Sequence, residues 1–591
     1  MTVRISMWPL ALFLATSLGS AGFASEPASK NPQQECVAAT NQTPACGGRL
    51  MVALRSEPKT LNPVTANDAS SRELIEQMTA DLIHTNRYTQ LSESALAKSW
   101  KVSSDRRLYT LELRRGLHFS DGIAFDADDV VFSFKVYLDE KVNAPQRDSL
   151  LVGETPIIVR KVDRYTVTFT LSRPYASAER LFDDVAILPR HLLERAYSEG
   201  KLVHAWTSDT PPDRIAGLGP FRLKEYVPGQ RLTLERNPYY WKTDDNGSHL
   251  PYLAEITFLF VGNEDAEVLL FEAGETDVIN RINADNYSVL QQERSSCCLQ
   301  LYDLGPDLDY NFLLFNLNST LPAEAGEIRR KQEWFNDVRF RQAISSAIDR
   351  QGMNRIVYHG RGAPIWTHVS PGNRLWFDSS ALRPARSLSH SRDLLKAAGF
   401  SWREDGSLVD RRGALVEFSI ITSSSSNERT EMATIIQQDL RELGIHLQVM
   451  PLEFHSMLDR IFQTHDYEAA VMGMGGADVD PNSQMNVWLS SGDDHLWNLG
   501  QIHPATVWEA EIDRLMKRQM STAALKDRKR LYDRVQEIEM EEVPVVFLVS
   551  PNLLVGAKER LRNFQPAIID SHTLWNSEQL FVQDSMKGVT K

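Results

Sequence analysis

Cysteine is scarce in this chain: four in 591 residues, at positions 36, 46, 297 and 298. That number excludes a disulfide scaffold, and cysteines without nearby His or Cys partners make a poor zinc site. Long apolar runs are also missing. The stretch Ile5–Leu18 is broken by Pro9 and falls short of the about 20 residues that a bilayer span requires, and no later segment comes closer. Positive charge is in deficit, with 64 Lys+Arg against 78 Asp+Glu and a net charge of −14. Such a surface repels polyphosphate, which argues against nucleic acid as a partner. No His-Glu-x-x-His helix, Gly-x-Ser-x-Gly elbow or phosphate-binding loop is present. The 14 histidines are unclustered, and His455 and His465, ten residues apart, flank a predicted helix rather than sharing one of its faces. A secreted hydrolase with scattered catalytic groups survives only as a rival reading.

What is there begins with an export signal. Arg4 gives a positive start, the apolar run follows, and Gly22-Phe23-Ala24 places small residues at the −3 and −1 positions of a cleavage site. Residues 1–24 therefore read as a signal peptide. Neither Cys36 nor Cys46 follows a lipobox-like Leu-x-small pattern, so no lipid anchor is expected. Residues 25–46, rich in Pro, Asn, Gln, Ala and Thr, read as a flexible tether. Cys36 and Cys46 can close a small loop in an oxidising compartment or stay free. Vicinal Cys297-Cys298 can bridge only by straining the backbone, and reads at least as well as two small residues at a strand edge. Removing the leader leaves roughly 567 residues, room for two or three domains of about 100–200 residues.

Strand and helix periods alternate through that body. Arg49 to Leu54 predicts a strand, as do Leu108 to Leu113 and Tyr165 to Leu171, where apolar residues alternate with threonines. Asp126 predicts a helix cap with Asp128 and Asp129 in the first turn. Asp337 through Arg350 predicts one amphipathic helix. Met432, Ile435, Ile436, Leu440 and Leu443 share another helix face that ends at Gly444, and Phe418–Thr422 and Ile445–Val449 flank it. That β-α-β unit implies a parallel strand pair in an α/β lobe.

Several segments occur in a fixed order: Gly47-Gly48-Arg49-Leu50, Glu57-Pro58-Lys59-Thr60-Leu61-Asn62-Pro63, Leu96-Ala97-Lys98-Ser99-Trp100 and Leu117-His118-Phe119-Ser120-Asp121-Gly122. They continue with Gly217-Leu218-Gly219-Pro220-Phe221, Asn237-Pro238-Tyr239-Tyr240-Trp241, Arg339-Phe340-Arg341-Gln342-Ala343, Asp480-Pro481 and Val543-Pro544-Val545-Val546. Singly these are common turn chemistry; Gly217, Gly219 and Gly229 read as turn glycines with positive φ. Together, over about residues 47–580, the series resembles the family 5 extracellular solute-binding proteins, the receptors of ABC importers for oligopeptides, dipeptides and nickel.

The resemblance implies a two-lobed, periplasmic-binding-protein-like α/β fold of cluster C type. Lobe I would cover 47–305 and 550–591, with an extra subdomain near 65–210, and lobe II 306–549. It implies a periplasmic, non-enzymatic monomer without cofactor or metal that hands a peptide, or another small solute such as a nickel chelate, haem, oligosaccharide or opine, to permease subunits. A chaperone-like role is a further alternative. In peptide-binding members the ligand extends across the cleft as an added strand. The matching segments are Arg55-Ser56-Glu57 in lobe I and Met472-Gly473-Met474-Gly475-Gly476 in lobe II, with Tyr88, Asn311 and Trp366 as further cleft candidates. The family often anchors the ligand's α-ammonium with an aspartate shortly before the Asp-Pro pair. Ala477 stands at that position, so either Asp478, with Asp480 near it, substitutes through a shifted backbone or the ligand lacks a free amino terminus.

Overall fold

The computed structural model describes residues 46–583 apart from 153, 154, 184, 322, 323, 382 and 477. The leader, most of the tether, Cys36 and Ala477 lie outside the described residues. Cys46 is disulfide-bonded, while Cys298 is free and exposed.

Strand Arg49–Leu54 forms where an apolar run has β-branched and long side chains and no breaker. It pairs in parallel with Glu255–Phe260 and lies inside an eight-stranded mixed sheet. One side of that sheet continues through Arg231–Arg236 to Phe221–Val227; the other runs through Val278–Ile279 and Val549–Lys558 to Leu299–Pro306. A separate four-stranded antiparallel sheet follows the order Ala97–Val102, Leu108–Leu113, Thr166–Thr170, Ile158–Asp163. Its alternation is as expected: Val167, Phe169, Tyr109, Leu111 and Leu113 are fully buried. They join the core of the large sheet, so the small sheet is an outgrowth of the first lobe and shares its interior.

The second lobe centres on a five-stranded sheet in the order His446–Leu452, Glu417–Ser423, Ala469–Met474, Tyr310–Phe315, Val545–Phe547. Helix Asn427–Arg441 crosses between the parallel strands Glu417–Ser423 and His446–Leu452, the expected β-α-β unit. Gly444 has φ 78°, and a Cβ there would lie 2.1 Å from the Gly406 carbonyl oxygen. A core covers each face of this sheet.

Three local expectations are corrected. The helix expected over Asp337–Arg350 is two, Val338–Ala347 and Arg350–Val357. Ile348 turns extended because the Asp349 carboxylate caps the second helix, accepting from Gly352 N at 2.8 Å. Gly217 and Gly219 do not have positive φ; a Cβ on Gly217 would meet the Met78 carbonyl oxygen at 1.9 Å, so close approach selects glycine there. Cys297 closes helix Ala284–Cys297, and Cys298 is its left-handed cap at φ 49° rather than a strand residue.

Two strand pairs run from one sheet into the other. Leu299–Pro306 leads into Tyr310–Phe315, and Val545–Phe547 leads into Val549–Lys558. Asp307 sits on this crossing: its N–H donates to the Pro551 carbonyl at 2.8 Å, and its own carbonyl accepts from Ser550 Oγ at 2.9 Å. Beside it, Leu548 N donates to the Asn311 carbonyl at 2.9 Å.

Candidate functional site

A cavity of about 410 Å³ lies against this crossing and draws its walls from both lobes. Arg55, Glu264 and Arg281 come from the first lobe, Asp307 and Asp309 from the crossing, and Asn311, Arg429 and Gly473–Gly475 from the second. The lobe II wall is the C-terminal end of the parallel strands, where the chain enters helix Asn427–Arg441; open α/β sheets bind ligands in this crevice. Strand Ala469–Met474 pairs along its full length with Tyr310–Phe315, but its pairing with Glu417–Ser423 is confined to Ala469 and Ala470. Among the described residues, the edge at Met472–Met474 therefore has no strand neighbour on that side.

Charge in the cavity is unevenly compensated. Arg55 pairs with Glu267 at 2.6 Å and Glu264 at 3.3 Å. Arg281 bridges Asp309 at 2.8 Å and Asp307 at 3.2 Å. Burial pushes the Asp307 carboxyl up to about 7, with Asp309 adding to the rise and Arg281 opposing it. Arg429 differs. Its Nε donates to Asn311 Oδ1 at 3.1 Å, and no carboxylate among the described residues pairs with its guanidinium. Asn311 is itself fixed, donating from Nδ2 to Tyr358 Oη at 3.1 Å and the Val549 carbonyl at 3.2 Å. The guanidinium lies on Gly473, where a Cβ would come within 2.3 Å of Arg429 Nη2. Any larger residue at 473 would displace it.

Five of the residues expected at the ligand, Arg55, Asn311, Gly473, Met474 and Gly475, line this cavity. Gly476 is just behind, donating its N–H to Asp309 Oδ1 at 3.1 Å. The others are placed elsewhere. Ser56 Oγ bonds to Ser70 Oγ at 2.8 Å. Glu57 Oε1 accepts from Tyr226 Oη at 2.8 Å and Gly229 N at 2.9 Å, which ties down the hairpin that follows Phe221–Val227. Tyr88 is 69% exposed. Trp366 stacks on Arg350, 5.4 Å from guanidinium carbon to ring centroid, beside a separate lobe II cavity of about 550 Å³.

Asp478 and Asp480 join the lobes. Asp478 Oδ1 is ion-paired with Arg180 of the small-sheet subdomain. Asp480 takes Arg528 in a two-pronged pair, 2.6 Å at each oxygen, and accepts from Ser177 Oγ at 2.5 Å. Ala176 N donates to the Met520 carbonyl at 2.7 Å in the same seam. Burial alone would raise the Asp480 carboxyl, but the Arg528 charge and the hydrogen bonds from Arg528 and Ser177 overcome it and hold it below the usual range.

Sequence reasoning missed Arg429, Arg281 and the Asp307–Asp309 pair. Arg429 had a legible signal: it falls in the first turn after a Ser-rich strand-to-helix loop, Ser423–Ser426, inside a recognised β-α-β unit. Arg281 had none, because its partners lie 26 and 28 residues away on the crossing.

Comparison with known proteins matches this architecture. The family model for bacterial extracellular solute-binding proteins, family 5 (middle), matches residues 93–495. A probable ABC transporter-binding protein of Deinococcus radiodurans is 26% identical over 536 residues, covering 87% of this chain and 89% of that protein. The oligopeptide-binding protein AppA of Bacillus subtilis is 24% identical over 572 residues, 94% of each. Its structure in complex with a nonapeptide superposes with a TM-score of 0.68 over 92% of this chain and all of AppA. NikA from Brucella suis, solved with Fe(III)-EDTA, gives 0.74 at 21% identity, over 91% of this chain and 100% of NikA. The chain is a two-lobed member of the bacterial extracellular solute-binding proteins, family 5.

Proposed function

We propose that this protein captures peptides in the cavity between its lobes and delivers them to the permease of an ABC importer. The observation that carries the reading is the open strand edge at Met472–Met474, set in a cavity wall with glycines on either side of Met474. An extended peptide can pair with that edge through backbone hydrogen bonds, which are indifferent to side-chain identity. Arg429 supplies a fixed cation for a ligand carboxylate, so the ligand end nearest Gly473 is anionic.

In this reading residues 1–24 are the export leader, 25–46 the tether, 47–305 with 550–591 lobe I, and 306–549 lobe II, with the extra subdomain near 65–210. The protein acts as a periplasmic monomer, without lipid anchor, cofactor or catalysis. Native mass spectrometry of protein purified with its endogenous ligand tests the assignment. A family of bound masses spaced by amino-acid residues is the expected result. One sharp non-peptide mass would reassign the cavity to a specialised solute.

A further inference from the structure

A second cavity, of about 320 Å³, is built from the first lobe alone. Asp81 and His84 line one corner of it, and Asp183 stands behind them. Each is carried by backbone that the fold holds in place. Asp81 precedes strand Ile83–Thr85, and its carbonyl accepts from Leu96 N at 3.1 Å; His84 lies within that strand, which pairs with Ser92–Ser94. Asp183 caps the short helical turn Ala178–Phe182. Leu82, Ile83 and Phe182 are fully buried beside them, so the core rather than a surface loop positions the three groups.

The spacing is that of a metal site. One ligand atom from each residue lies within 4.8 Å of the other two. His84 Nδ1 is 3.5 Å from Asp81 Oδ2 and 3.4 Å from Asp183 Oδ1. Both separations exceed the usual N–H···O hydrogen bond of about 2.7–3.2 Å. They match instead the edge of a zinc tetrahedron, about 3.4 Å for ligands about 2.1 Å from the ion. The Asp183 carboxylate is also oriented as an outer shell orients a ligand: Oδ2 accepts from Arg87 Nη1 at 2.9 Å and Oδ1 from Thr85 N at 2.9 Å. The side chains of Asp81 and His84 are each 23% exposed, which gives an ion a path in from the cavity. One histidine is enough when two carboxylates complete the set, and their negative charges balance a divalent ion. Histidines scattered along the sequence therefore do not exclude such a site.

We propose that Asp81, His84 and Asp183 hold a zinc ion, with water in the fourth position on the cavity side. Imidazole nitrogen with two carboxylate oxygens suits Zn²⁺ better than the all-oxygen shells that Ca²⁺ and Mg²⁺ take. The site goes beyond the peptide reading and does not depend on it, since every ligand belongs to the first lobe and none lines the cavity between the lobes. The ion ties strand Ile83–Thr85 to a turn 98 residues further along the chain, where Thr85 N already meets Asp183. The competing arrangement is an imidazolium held between two carboxylates, which takes up no metal.

The test uses the untagged full chain, stripped with chelator and titrated calorimetrically with zinc chloride, with native mass spectrometry to count bound ions. One ion per chain is expected with a Kd on the order of 1 μM, weaker than a closed four-ligand site. His84→Gln and, separately, Asp81→Asn should each weaken zinc at least about 100-fold, since loss of a direct ligand exceeds the 10–100-fold of an outer-shell change. Zinc should raise the thermal midpoint of the wild type but not of either variant. Cys298→Ser, which removes the exposed thiol, should bind zinc as the wild type does. Cobalt(II) in place of zinc should give the visible absorption of a four-coordinate ion. That wild-type spectrum decides even if a variant fails to fold: a six-coordinate spectrum, or none, overturns the proposal. So does the absence of zinc binding at ~1 mM, which leaves the triad as an ion-pair cluster, or binding that His84→Gln and Asp81→Asn leave intact, which puts the ion elsewhere.

Discussion

Two arginines flank the same stretch of chain, Gly473 to Asp480, and differ in what is left for them to do. Arg528 is saturated. Nε donates to Gln519 Oε1 at 2.8 Å, both Nη groups hold Asp480, and the guanidinium stacks 4.8 Å from the centroid of Trp376. Arg429 is fixed at Nε by Asn311 and has no carboxylate partner among the described residues. Both are charged, both are near the interlobe seam, and both would be drawn into a list of candidate ligand contacts. Position alone therefore does not make a binding residue. A group whose hydrogen bonds are filled by its own protein holds the fold together; a group oriented by its own protein but left unfilled is ready for something else.

The largest effect is expected at Arg528. Arg528→Ala leaves Asp480 ionised and buried without its partner, which costs about 3–5 kcal/mol. The check is urea unfolding of the full chain; a loss below about 1 kcal/mol would mean the pair is no better than a surface bridge. The effect has a pH signature. Because the native Asp480 carboxyl is held low, its contribution is complete above the unfolded carboxylate range, about 3.9, and is lost as pH falls through the lowered native value. Wild type and Arg528→Ala should therefore converge in strongly acidic solution.

At Arg429 the opposite profile is expected. Arg429→Gln should change stability by less than about 0.5 kcal/mol, as surface replacements do. It should weaken a free-acid peptide by about 10–100-fold, the worth of one charge-assisted contact of about 1.5–3 kcal/mol. A peptide amide should bind wild type as poorly as the acid binds the variant. Gly473→Ala should reproduce much of the loss, because the new methyl falls on Arg429 Nη2. If acid and amide bind wild type equally, Arg429 is not a carboxylate anchor, whatever the ligand.

Asp307 lies between these extremes, paired yet penalised. Its carboxyl is pushed up to about 7, so its ionised form is disfavoured in the folded state. The sign follows: stability falls as pH rises from the unfolded carboxylate range through about 7, by at most ~1.4 kcal/mol per pH unit for one proton. Asp307→Asn should flatten that slope between mildly acidic and mildly alkaline solution, as read from urea midpoints. An unchanged slope would assign the titration to another group.

The sequence carried the fold further than the site. The alternation in Thr166–Thr170, the cap at Asp126 and the β-α-β unit around Asn427–Arg441 are local patterns whose physics is complete within a few residues. The resemblance ordered them into two lobes. The site is not local. Gly473 is glycine because of a side chain 44 positions earlier, and Glu57, apparently a cleft residue, is tied to a hairpin about 170 positions later. Asp478 was singled out for a charge that the fold answers with Arg180, 298 residues away. Spacing in sequence shows which groups are present, and only the tertiary structure shows which are already partnered.

For Asp478 itself, already partnered, little change is expected. If Asp478 anchored the ligand's α-ammonium, acetylating the amino terminus would weaken binding by about tenfold or more. Its carboxylate instead faces Arg180 and accepts from Val479 N at 2.7 Å. Burial raises this carboxyl while Arg180 opposes the rise, so the pair is one the protein needs to keep closed. A free-amine peptide and its acetylated counterpart should therefore bind within about threefold of each other, a difference below about 0.7 kcal/mol. Arg180→Ala sharpens the test by unmasking Asp478: the free amine should then gain on the acetylated peptide by about tenfold. A strong amine preference in the wild type, lost in Asp478→Asn, would show that Arg180 yields its place to the ligand and that Asp478 belongs with Arg429 rather than with Arg528.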